Sequence, residues 1–182
     1  MGKRVGLLGL LLVLALGSGA AAQEPSPTTL YAPDDLASIL PSQVGPVTLS
    51  IESFDGPEQV AEDPELFGDL FLRLGKDPSD YSLAAARGES EDGSSLVYVA
   101  AFRIEGVLAD DWGFDGVMTF DLDEPPPGWH VEWRDIGDRR VAVMSDEGFE
   151  AGRSAAYAKG EVFFYLVGVG GVTIEDVLAE LP

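Results

Sequence analysis

Residues 47–53, V-T-L-S-I-E-S, alternate apolar and polar positions without a break. A period of two puts Val47, Leu49 and Ile51 on one side and Thr48, Ser50 and Glu52 on the other, as on a strand with one wet face. The period then changes. Leu66, Phe67, Leu70, Phe71 and Leu74 fall at i, i+1, i+4, i+5 and i+8, a broad helical stripe. It opens on Asp63 as a cap with Pro64 in the first turn, and it closes at Gly75. A shorter helix is expected from Pro33, with Asp34 and Asp35 complementing its N-terminal dipole and Leu36, Ile39 and Leu40 on one face, and Pro41 stops it.

After the turn K-D-P-S-D, residues 81–87 and 95–105 predict two strands joined by the polar loop G-E-S-E-D-G-S. The second, L-V-Y-V-A-A-F-R-I, is apolar on both faces, which places it centrally. Residues 108–122 support two readings. Leu108, Trp112 and Met118 suggest a helix, yet Gly113 and Gly116 would each cost its interior about 1 kcal/mol. Residues 129–136 and 139–145 predict a hairpin turning at Gly137-Asp138, and residues 157–158 and 162–167 another turning at Lys159-Gly160. Thr173, with Asp176 three residues on, caps a last helix that carries Ile174, Val177, Leu178 and Leu181 inward. No internal repeat interrupts this order. Parallel crossovers are scarce, so the pattern predicts an α+β fold, a mainly antiparallel sheet with helices packed on one face.

The N-terminus follows a different rule. Lys3 and Arg4 precede an apolar run at residues 5–16, and Ala20-Ala21-Ala22 offers a small-residue cleavage signal. Residues 1–22 therefore read as a secretory signal peptide, residues 23–32 as a flexible linker and residues 33–182 as one globular domain. An uncleaved anchor is the other reading, but the apolar run is short of the roughly 20 residues a spanning helix needs. The expected location is extracytoplasmic: periplasm, cell-wall space or medium. Cysteine is absent, so neither a disulfide framework nor a lipid-bearing cysteine is available.

Charge narrows the partners. The 182 residues carry 32 Asp and Glu against 11 Lys and Arg; without Lys3 and Arg4 the net charge is −23. Nucleic acid is excluded as a partner, because phosphate binding needs cationic contacts that release counterions. Anionic membrane surfaces are disfavoured for the same reason.

Three stretches bear on kinship. L-P-S-Q-V-G-P-V-T-L-S-I-E-S-F at residues 40–54, L-R-L-G-K-D-P-S-D-Y-S-L-A-A-A at 72–86, and Y-A-K-G-E-V-F-F-Y-L-V at 157–167, followed by the terminal L-A-E-L-P, are similar to uncharacterised secreted or lipoprotein domains of Gram-positive-type bacteria. The resemblance covers most of residues 23–182 and implies export. The family has no assigned function to carry over, and this chain lacks the lipid-anchor cysteine of some relatives.

Candidate chemistry is sparse. In W-H-V-E-W-R, the period of two separates Trp129, Val131 and Trp133 from His130, Glu132 and Arg134. The two tryptophans either pack inward or form a stacking platform for a glycan or a protein partner. His130 is the single histidine; with no cysteine it cannot build a usual zinc site, and no G-x-S-x-G elbow accompanies it. Hard cations need only oxygen ligands, and D-W-G-F-D-G-V-M-T-F-D imitates a calcium loop with Asp111 at position 1, Asp115 at position 5 and Asp121 one place short of the terminal ligand. Gly113 stands at position 3 and Leu122 at position 12, where acids belong. G-V-G-G at residues 168–171 lacks phosphate-cradle spacing and reads as a flexible connection. The leading expectation is a non-enzymatic binding domain that meets protein or glycan at the cell envelope, without a cofactor. The alternatives are a calcium-binding or calcium-stabilised module and, third, a carboxylate-based hydrolase.

Overall fold

The computed structural model describes residues 36–62, 64–118, 120–146 and 152–182. The expected signal peptide, the linker, the helix start at Pro33, the Asp63 cap and the side chain of Leu66 lie outside them. In chain order the strands are β1 (Gln43–Val44), β2 (Val47–Thr48), β3 (Ser50–Asp55), β4 (Tyr81–Glu89), β5 (Leu96–Ile104), β6 (Trp129–Ile136), β7 (Arg139–Asp146), β8 (Gly152–Lys159) and β9 (Val162–Val169). The helices are α1 (Gly56–Glu62), α2 (Pro64–Leu74), α3 (Gly113–Val117) and α4 (Ile174–Ala179), with 3₁₀ turns at Ala37–Ile39, Pro78–Asp80 and Ala109–Asp111.

Apart from the small β1–β2 hairpin, the strands form one seven-stranded sheet in the order β3-β4-β5-β9-β8-β7-β6. Every pairing is antiparallel. Two meanders, β3 to β5 and β6 to β9, join along the β5–β9 seam, and the long connection from β5 to β6 crosses to the far edge of the sheet.

Alternation along β5 divides the core. Val97, Val99 and Ala101 face a layer made by Leu36, Leu40, Val44, Val47 and Leu49 together with Ile174, Val177, Leu178 and Leu181 of α4. Ala100, Phe102 and Ile104 face the opposite layer, built from Val60 of α1, Phe67, Leu70 and Phe71 of α2, and Trp112, Val117 and Met118 around α3. The helices therefore cover both faces, which corrects the expectation of one helical face. The reason is visible in β5 and β9: a strand apolar on both sides needs cover on both sides.

Local chemistry explains most elements. Thr173 Oγ1 accepts from the Asp176 amide at 3.2 Å, and the Asp176 carboxylate accepts from the Thr173 amide at 2.9 Å, a reciprocal cap for α4. Gly75 ends α2 at φ +63°, and Gly137 turns the β6–β7 hairpin at φ +67°. The last hairpin turns at Gly160-Glu161, one residue later than expected, because Lys159 is still paired with Val162.

Two further expectations change. Residues 47–53 are not one strand: the chain breaks after Thr48, and Ile51, expected to be inward, is 37% exposed on the edge strand β3. Gly113 and Gly116 do not oppose a helix but permit one. A side chain at Gly113 would enter the Phe163 ring, so α3 approaches β9 as closely as only glycine allows, while one at Gly116 would press within 2.8 Å of the Leu70 side-chain end.

Candidate functional site

Among the described residues the β6 strand forms one edge of the sheet and pairs only with β7, all eight residues in unbroken register from Trp129↔Asp146 to Ile136↔Arg139. Its sequence explains its two faces. Trp129 and Val131 pack, half-buried, on the layer containing α3, while Ile136 packs on the layer containing α4. The alternation expected for W-H-V-E-W-R is present.

The tryptophans divide their roles. Trp129 packs against Phe120, the rings tilted by 52° with centroids 5.1 Å apart, and belongs to the margin of the core. Trp133 is 37% exposed. Phe114 of α3 meets it edge-on at 5.3 Å, and the Arg140 guanidinium lies over its ring at 4.7 Å. Phe114 is held in turn by Phe163, edge to face at 4.9 Å. The exposed indole thus rests on a chain of rings leading into the core, which fixes its orientation at little entropic cost. Sequence reasoning found both tryptophans but missed Phe114 and Arg140, because neither lies on β6.

The opposite side of β6 is charged. Arg134 Nη2 donates to Glu132 Oε2 at 2.5 Å, and its Nη1 lies 3.5 Å from Glu175 of α4. The hydrogen bond from Arg134 holds the Glu132 carboxyl below its ordinary range. His130 is exposed on this side, opposite Ser145 of β7.

The acidic residues of the calcium-like stretch occupy three separate local settings. Asp111 closes the 3₁₀ turn Ala109–Asp111. Asp115 lies in the first turn of α3 and faces Arg73 of α2 at 3.8 Å. Asp121 folds its carboxylate back onto the Asp123 amide at 2.9 Å. Among the described residues, no group of three or more His, Asp or Glu side chains converges as a metal site would.

The polar β4–β5 loop, G-E-S-E-D-G-S, is tied by its own side chains. Asp92 accepts from the Ser90 and Ser94 hydroxyls, each at 2.7 Å, and from the Ser94 amide at 3.0 Å. The Ser94 hydroxyl, then that of Ser90, hold its carboxyl at about 2. Ser95 Oγ in the same loop accepts from the Gly171 amide at 3.0 Å, and a side chain on Gly170 would strike the Ser94 carbonyl. G-V-G-G is therefore a packed junction rather than the slack connection expected: Gly170 is needed both for its φ of +73° and because the Ser94 carbonyl occupies the place of a Cβ.

Beneath the helices, the Tyr81 and Tyr98 hydroxyls are buried with no hydrogen-bond partner among the described residues, and Tyr165 lies on the same face. Burial raises all three phenols, Tyr165 to about 12, so they are neutral packing groups. Asp176, like Asp92 and Glu132, is pushed downward, in its case by the Thr173 amide and hydroxyl. These three carboxylates are bases already spent on local hydrogen bonds, not proton donors. No family model, curated protein or solved structure matches the chain.

Proposed function

We propose that the chain is an exported, non-enzymatic binding domain that meets a protein or glycan partner at the cell envelope, akin to the secreted domains its sequence resembles. One observation carries this reading: Trp133 stands 37% exposed on an edge strand, with Phe114 and Arg140 fixing its ring. A large aromatic held rigid at the surface gives up little entropy when a partner covers it, which is why tryptophan and arginine dominate binding energies. A neighbouring row of backbone groups on β6 adds hydrogen-bonding capacity for an extended partner.

The test is comparative. The full chain is produced in an exporting host, and wild type and Trp133→Ala are immobilised and exposed to envelope extract and to cell-wall oligosaccharides. Retention of one species by wild type, reduced about tenfold or more in the variant, is the expected result. Equal retention by both, with the variant folded by circular dichroism, removes Trp133 as the contact. Mass spectrometry of the recovered chain also reads the N-terminus, and a start at Gln23 is expected.

A further inference from the structure

We infer that the partner of β6 is a second copy of this chain, the two β6 strands pairing antiparallel across a two-fold axis to continue the sheet from one protomer into the other. The inference rests on β6 being the contact surface, and it starts from what that edge lacks. Natural edges are blunted by charged side chains, lysine above all, and by proline, bulges or brevity; β6 carries charge only as Glu132, Arg134 and Asp135, of both signs. The β6 edge spans eight residues in unbroken register with β7, contains neither proline nor lysine, and has no strand on its other side among the described residues.

Side-chain order then selects a register. A two-fold axis normal to the sheet keeps each face on its own side, so only registers that oppose residues of the same parity are possible. One of these places Trp133 opposite Trp133 of the second copy. It sets Glu132 opposite Arg134 of the second copy and Arg134 opposite Glu132 of the second copy, two cross-strand ion pairs on the α4 side of the sheet. The neighbouring permitted registers oppose Glu132 to Glu132 or Arg134 to Arg134. The strand is thus complementary to itself in one alignment and repulsive in those beside it.

The opposite edge lacks this property. In β3 the charged side chains are Glu52 and Asp55, both acidic, so no register of two copies of that strand forms a cross-strand ion pair. Overall charge points the same way. Residues 129–159 hold five of the nine Lys and Arg found after residue 22 against six acids, whereas the rest of residues 23–182 holds four against 26. The β6 to β8 side is where two strongly acidic bodies approach with the least repulsion.

Charge exchange tests the pairing of the two β6 strands. The recovered full chain is examined by sedimentation equilibrium up to about 100 µM. Wild type is expected at twice the protomer mass, and Glu132→Arg and Arg134→Glu are each expected to weaken association by about tenfold or more. Mixing the two variants is the decisive arm. In the mixed pair every residue 132 meets an opposite charge at residue 134 of the other chain, so dimers return, an outcome that damage to the fold cannot produce. A monomeric wild type, a dimer indifferent to both substitutions, or a mass that grows beyond two copies through β3–β6 contacts each overturns the inference. A monomer that still retains an envelope partner through Trp133 would end self-pairing and leave the binding reading standing. A dimer that retains none would do the reverse.

Discussion

Arg139 at the start of β7 donates from Nη2 to the carbonyl of Leu181 at 2.6 Å. Its Nη1 donates at 2.6 Å to the Leu178 carbonyl, which also accepts from the Leu181 amide at 3.3 Å, so one planar fork binds two carbonyls at the end of α4. The guanidinium also lies over the Tyr157 ring at 5.4 Å, and Tyr157 stacks on Phe164 at 4.7 Å. Arg139→Ala is expected to cost about 2–4 kcal/mol in chemical denaturation, because two hydrogen bonds from a charged donor are lost together with its packing on Tyr157. Arg139→Lys should recover little of it, since an ammonium cannot span both oxygens. Full recovery by lysine would mean that charge alone matters.

Glycines in two helices should respond in opposite directions. Gly113→Ala drives a methyl group into the Phe163 ring and is expected to destabilise by about 1–3 kcal/mol. Gly68→Ala in α2 has open space around its new atom and should stabilise by about 0.5–1 kcal/mol. Thermal unfolding of both variants reads the signs, and a neutral Gly113→Ala would place α3 further from the sheet.

Acid should loosen the β4–β5 loop late. The folded carboxyl of Asp92 lies at about 2, below the ordinary 3.8, so its contribution is complete above about pH 4 and is lost as pH falls through about 2. An NMR titration should find that midpoint for Asp92, together with loss of protection at the Ser94 amide. A midpoint near 4 would show that the serine hydroxyls do not hold the carboxylate in solution.

Calcium and magnesium, compared at equal ionic strength, are expected to raise the unfolding temperature together by screening the 32 carboxylates. Arg73 already faces Asp115, so a cation bound there must compete with an internal one. A calcium-specific increment that disappears in Asp115→Ala would assign Asp111, Asp115 and Asp121 to a metal site instead.

The legible parts of the fold were those whose pattern repeats locally. The face of α2 from Phe67 to Leu74, the α4 cap at Thr173, the β6–β7 turn and the burial of β5 all follow from spacing within a dozen residues. The unreadable parts depend on distant partners. Gly113 looks like a helix breaker until Phe163, fifty residues later, is seen against it. G-V-G-G looks loose until Ser94 fills the space beside it. The α1 helix has one buried apolar residue, Val60, too few to register as a period. At the site, the two tryptophans could be found by alternation, but which one remains exposed depends on Phe120 and Phe114, both outside the strand.

The β5–β9 seam sets a schedule for folding. The middle of the sheet is made from a strand ending at Val169, so its two halves, β3 to β5 and β6 to β8, have nothing to join them until that residue is available. Contacts spanning so much of the chain form slowly, because a long loop must close before they contribute. A chain emerging N-terminus first would therefore be able to pair β3 to β5 early, yet would complete its sheet only after Val169 has emerged.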